Sequence, residues 1–217
     1  DGSVQVARLM PENPSVVVTA SPSTSDIIST YTGLGIKHIW MGIDHLLFLI
    51  CLLLIAGTGK RILITVTGFT LAHSVTLILS SLNIVNLAIA PVEAIIALSI
   101  VFLATEIAKG DRDTYTWKYP VTVSCTFGLL HGFGFAAVLG EIGLPQTEIV
   151  TGLLFFNIGV EIGQLAFVLT ILTLLKLAKL VNLDLKQALL AKPVAYIIGS
   201  LASFWLIERS ASFLYIT

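Results

Sequence analysis

Six stretches of this chain are apolar for long enough to cross a bilayer, and no other feature limits its fold as strongly. A hydrocarbon core of roughly 30 Å takes about 20 helical residues. Runs of that kind cover approximately residues 34–56, 62–82, 91–108, 120–139, 149–175 and 193–215. An unclosed strand would leave its amide groups unsatisfied in lipid, so each run is expected to be a helix. Composition agrees, with 56% of the residues apolar, only 12% charged and a mean hydropathy of +0.95; a soluble domain carries about 25% charge. The expectation is an all-α, polytopic membrane protein folded as a six-helix transmembrane bundle.

The connections carry turn chemistry: Gly at 57–60, two Asn and a Pro over 80–91, a polar loop over 109–119, and Gly with Pro over 140–148. Lys60, Arg61, Lys109, Arg112, Lys118, Lys176, Lys179, Lys186 and Lys192 fall after runs one, three and five, and the connections after runs two and four hold no Lys or Arg. Cytoplasmic loops collect Lys and Arg. Both termini are therefore expected on the periplasmic side of a bacterial inner membrane, with Arg8, Lys37 and Arg209 the basic residues there. Arg209 follows Glu208 directly, and the two read as an ion pair in the outer leaflet. A net charge of −1 excludes nucleic acid as a main partner. Cys51 and Cys125 lie in apolar runs without the spacing of a disulfide framework.

Residues 1–26 differ in kind. V-Q-V and S-V-V-V-T read as short strands and 20–25 as a Ser/Thr/Pro linker. They are expected to be an extracytoplasmic stub, the tail of an N-terminal domain, ahead of a transmembrane domain over 27–217.

All four histidines lie inside the apolar runs, where an ionisable side chain is functional by default. His45, His73 and His131 each sit eleven residues in from the start of their run, and Glu161 twelve. At about 1.5 Å per residue each is roughly 16–18 Å deep, near the midplane. In HIWMGIDH a straight helix would stack His38 and His45 about 10 Å apart on one stripe, an outer antechamber above a deeper site, with Asp44 beside the latter.

F-T-L-A-H at 69–73 and F-G-L-L-H at 127–131 present two parallel helices with one imidazole each at equal depth. Gly128, Gly132, Gly134 and Ala136 allow close helix approach or local unwinding. Thr67, Thr70, Ser74 and Thr76 either orient the second nitrogen of His73 or bond back to their own helix. Asn157, Glu161 and Gln164, spaced four and three, form a polar stripe that must face the bundle, with Gly159 and Gly163 suited to close packing beside it. Glu93 lies at the outer lip of run three and Glu106 at its inner end beside Lys109, each as an interfacial charge or the mouth of a path.

Imidazole, carboxylate and amide oxygen together suit a divalent transition metal such as Ni, Co or Zn. Such an ion would be the common partner of His38, Asp44, His45, His73, His131 and Glu161. Three readings stay open from the residues. One is a permease, with capture near His38 and Glu93, a midplane site and release near Glu106. Another is an intramembrane zinc-type hydrolase, in which Glu161 or Asp44 activates water, although no H-E-x-x-H is present. The last is a haem-binding or structural subunit of a larger membrane complex or homo-oligomer.

HIWMGIDHLLF, GFTLAHS, FGLLHGFGFA and FFNIGVEIGQ resemble segments of the HupE/UreJ family of nickel and cobalt permeases. The resemblance is best to its second subfamily, which carries an extracytoplasmic N-terminal domain, and covers about residues 33–175. It implies metal-binding roles for His38, Asp44 and His45 in the first-helix signature, and for His73, His131, Asn157 and Glu161 in the later segments. Two positions depart from the better-known permeases: Ile39 stands in place of a Pro, and His131 lacks the second His of their H-G-x-x-H-G pattern.

Overall fold

The computed structural model describes residues 23–134, 149–180 and 187–214, and every regular element among them is helical. The expected strands before residue 20, Ala136 and the 140–148 connection lie outside the described residues. Helix α1 (Thr24–Met41) begins ten residues ahead of the first apolar run, because Ser23 and Asp26 form a capping box: Asp26 N–H donates to Ser23 Oγ and Ser23 N–H to Asp26 Oδ2, both at 3.2 Å.

The first run is not one straight span. Helix α1 stops at Gly42 and α2 (Ile43–Ala56) leaves at 74° to it. Gly42 has an extended backbone (φ −82, ψ 93); its N–H donates to His38 O at 3.0 Å, and its carbonyl accepts from His45 N at 3.0 Å and Leu46 N at 3.2 Å. Space, not φ, requires the glycine. A Cβ there would stand 3.0 Å from His38 O and 3.2 Å from His45 Cε1, and closer still to His45 Nδ1.

Next come α3 (Gly59–Ser81), α4 (Ile89–Lys109), a four-residue α5 (Tyr115–Lys118), and α6 (Pro120–His131), which tightens into a 3-10 turn over Gly132–Gly134. Helices α7 (Ile149–Leu180) and α8 (Gln187–Leu214) follow. Four helices, α3, α4, α7 and α8, are individually long and apolar enough to cross a membrane, and a fifth crossing results if the bent α1–α2 pair counts as one. The sixth crossing expected over 120–139 is not met among the described residues, since α6 has 12 residues before it tightens at the glycines. Helix α7 also outruns its expected end, so Lys176 and Lys179 sit on its last turns instead of in a loop.

Helix α2 is the hub. After His45 it has no polar side chain except Cys51, and a helix apolar all round belongs in an interior. It packs against α3, α4, α6, α7 and α8, and Phe48, Leu49, Cys51, Leu52, Leu53 and Ile55 are buried. Around it stand three tight pairs, α1 with α7, α3 with α6, and α4 with α8. Glycines mark where two of them meet: Gly159 lies against Thr32 and Gly163 against Ile36 and Ile39, while Gly128 lies against Phe69 and Gly132 against His73 and Thr76. Partner numbers rise together in both cases, so α1 runs parallel to α7 and α3 parallel to α6. The outer surface is apolar: Leu71, Val150, Leu169, Tyr196, Ile197 and Ile207 are each at least 63% exposed, a surface for lipid and not for water.

Candidate metal centre

The parallel packing of α3 on α6 puts His73 and His131 at one level. Ser124 Oγ donates to Thr65 O at 2.8 Å and Gly132 meets the His73 carbonyl, a constant offset between the two helices. The break at Gly42 does the rest. It folds His45 back toward His38, with ring centroids 4.4 Å apart, where a straight helix would hold them at about 10 Å. The outer antechamber expected at His38 is therefore absent: His38 lies 6.2 Å from His73 and His45 5.9 Å from His131, between centroids. Four helices contribute one imidazole each to one cluster.

Two of these rings are held by a partner on a neighbouring helix. Asn157 Nδ2 donates to Leu153 O at 2.8 Å, which leaves its Oδ1 to accept from His73 Nδ1 across a long 3.4 Å contact. Ser99 Oγ donates to Ile96 O at 2.7 Å and so accepts from His131 Nε2 at 3.0 Å. Each imidazole is thereby fixed in the tautomer that leaves the other nitrogen a lone pair. Those nitrogens, His73 Nε2 and His131 Nδ1, are buried without a hydrogen-bond partner among the described residues, as are His45 Nδ1 and Glu161 Oε2. Orphaned buried nitrogens on His45, His73 and His131 are what a cation-binding cluster presents.

The hydroxyls near His73 do not hold its ring. Thr76 and Ser74 bond back to carbonyls of α3, whereas Thr67 and Thr70 reach across to α7. Thr67 Oγ1 donates to Glu161 Oε1 at 2.6 Å and Thr70 Oγ1 to Gln164 Oε1 at 2.8 Å. The stripe on α7 thus faces α3 as expected, but Asn157, not Glu161, is the member level with His73. Glu161 lies one turn further along, against Thr67.

Asp44 points away from the imidazoles. Its Oδ2 is 2.8 Å from Arg209 Nη2 on α8, and the same guanidinium donates to the Glu93 carbonyl at 3.1 Å and lies over the Trp205 ring. The sequence suggests Glu208 as the neighbour of Arg209; the structure gives its guanidinium to Asp44 and so ties α2 to α4 and α8. The Glu93 side chain is exposed, and Glu106 is 3.3 Å from Lys109 at the end of α4.

The donor set fits a transition-metal ion, and so do the spacings. An imidazole centroid lies about 3.2 Å from a metal bonded to its nitrogen, so two rings on one ion have centroids no more than about 6.4 Å apart. The His38–His45, His38–His73 and His45–His131 pairs all satisfy this. Among the described residues, however, no three His, Cys, Asp or Glu side chains converge on one point that an ion could occupy. The imidazoles meet in pairs, not as a closed cage.

Ser99 is the participant that the sequence did not reveal, a lone hydroxyl in the apolar run I-A-L-S-I-V whose significance depends on facing His131. In comparison with known proteins, the family described as HupE / UreJ protein matches residues 13–209. No curated protein and no solved structure matches.

Proposed function

The chain belongs to the HupE/UreJ family, and from that premise we propose that it is an integral membrane permease for a divalent transition-metal ion of the nickel and cobalt kind. The observation that carries the proposal is the cluster of four imidazoles gathered at a broken helix. His73 and His131 are each fixed by a neighbour so that a lone pair stays buried and unused. Discontinuous helices with irregular backbone inside a protein interior are how membrane transporters commonly build ion sites.

In this reading the ion enters from the periplasm, passing Glu93. His38 and His45 are half-buried and meet it first; His73 and His131 are 1% and 2% exposed and receive it deeper. Neutral imidazoles replace its hydration shell without adding buried charge. Small ring rotations bring the paired nitrogens into one coordination sphere, with Glu161 one turn away as the remaining carboxylate, and the ion leaves near Glu106 at the cytoplasmic face.

Sealed vesicles containing the purified chain test this directly. Accumulation of Ni or Co, lost in His73→Ala and His131→Ala variants that keep their helical content, is the expected result. Bound metal with no flux and hydrolysis of an added lipid or amide would replace the permease with the intramembrane hydrolase.

A further inference from the structure

Beneath each of three histidines lies a phenylalanine, and the three rings form one layer. Helix α2 runs toward the end of the bundle that carries Lys60, Arg61, Lys109 and Lys118, and Phe48 follows His45 by three residues. Helices α3 and α6 run away from that basic end, and Phe69 and Phe127 precede His73 and His131 by four. The order of Phe and His reverses as the helix direction reverses. All three rings therefore lie one turn from the imidazoles on the same side, which explains the repeated F-x-x-x-H that metal binding leaves unused.

The rings are in contact. Phe48 lies 5.2 Å from Phe69 and 5.9 Å from Phe127. His131 sits 4.9 Å from Phe48 and 5.2 Å from Phe69, and His73 6.0 Å from Phe69. Phe48 and Phe69 are only 1% and 2% exposed, and Cys51, Leu52, Ile55, Ile100 and Leu103 continue the dry packing toward the basic end. The polar side chains at this depth, Thr67 paired with Glu161 and Thr70 paired with Gln164, line the seam between α3 and α7 beside the rings. On the other side His38 and His45 are half-buried.

We propose that Phe48, Phe69 and Phe127 are the barrier that closes the imidazole cluster from the inner face, so that an ion passes only when these rings move apart. Apolar constrictions block ions by excluding the water that must accompany them. The inference rests on the permease reading for its meaning but can be tested apart from it, because Cys51 is fully buried one turn beyond Phe48.

The full-length chain carrying Cys125→Ser is placed in sealed vesicles and exposed to a charged methanethiosulfonate, and metal efflux is followed in the same vesicles. Cys51 should resist labelling, whereas Phe48→Ala and Phe69→Ala should raise its labelling rate and the passive metal leak by about tenfold or more. Phe48→Leu, which removes the ring but keeps an apolar side chain, serves as second variant should the alanine forms fail to fold, and should leak measurably. Leu103→Ala, a cavity in the same core outside the ring layer, should not leak. Folded Phe variants that label within about twofold of the parent overturn the barrier, as does equal leakage from Leu103→Ala. Cys51 exposed by the Phe variants in vesicles whose parent protein moves no metal would keep the barrier and sink the permease.

Discussion

At the scale of single residues, a histidine becomes a ligand through what holds its other nitrogen. His73 and His131 are held by Asn157 and Ser99, from α7 and α4. Removing such a partner frees the ring and loses metal affinity by about 10–100-fold without removing a ligand. Asn157→Ala and Ser99→Ala should each weaken Co binding in titration calorimetry by this amount while His73→Ala abolishes it; unchanged affinity in both would deny the orienting role. Asp44 and Arg209, whose side chains are 19% and 21% exposed, make a second prediction. Neutralising one partner strands the other charge in a partly dry site, so Asp44→Asn and Arg209→Gln should each destabilise, by less than the roughly 3–5 kcal/mol of a fully buried pair. The double variant should lose less than the sum of the singles in a thermal-unfolding cycle, and strict additivity would show that the pair is not coupled. The identities of these side chains, and the common level of His73 and His131, were legible in the sequence. Their partners were not, because a hydrogen bond between helices depends on rotation about each axis, and a lone serine in an apolar run carries no mark of the residue it faces.

At the scale of elements, the decisive feature is the break at Gly42. A run of more than twenty apolar residues reads as one helix, and only packing shows that His45 occupies the space a Cβ at position 42 would need. Gly42→Ala should therefore cost about 1–3 kcal/mol through overpacking and part the two imidazoles, lowering metal binding together with thermal stability. Gly33 on α1 is the control, since nothing lies within 4 Å of a Cβ built there. Gly33→Ala should be neutral or stabilise by up to about 1 kcal/mol, and equal losses at both positions would mean that the break is not special. The repeated F-x-x-x-H was visible as a pattern, and its parallel helices were expected. That Phe48 joins the same layer from an oppositely directed helix could be seen only once the direction of α2 relative to α3 and α6 was known.

At the scale of the whole molecule, a bound ion joins elements that otherwise touch through apolar contacts, so stability and metal occupancy are linked. Metal at about a hundred times its dissociation constant should add about 2.7 kcal/mol to the folded state; a chelator should reverse the shift in unfolding temperature, and the shift should vanish in His131→Ala. An unfolding temperature indifferent to Ni, Co and Zn would remove metal from the function. Apolar run length determined that the chain is a helical membrane protein, because lipid accepts few other ways of satisfying a backbone; the clustering of Lys and Arg set the expected orientation, and the position of the histidines inside the runs singled out the side chains that the structure gathers. These are properties of segments taken one at a time. The tertiary structure alone decided that the first run bends by 74°, that His38 joins the others instead of standing above them, and that Asp44 turns to Arg209. Each of those outcomes depends on which face of one helix meets which face of another, and hydrophobic periodicity in a segment apolar on every side does not encode a face.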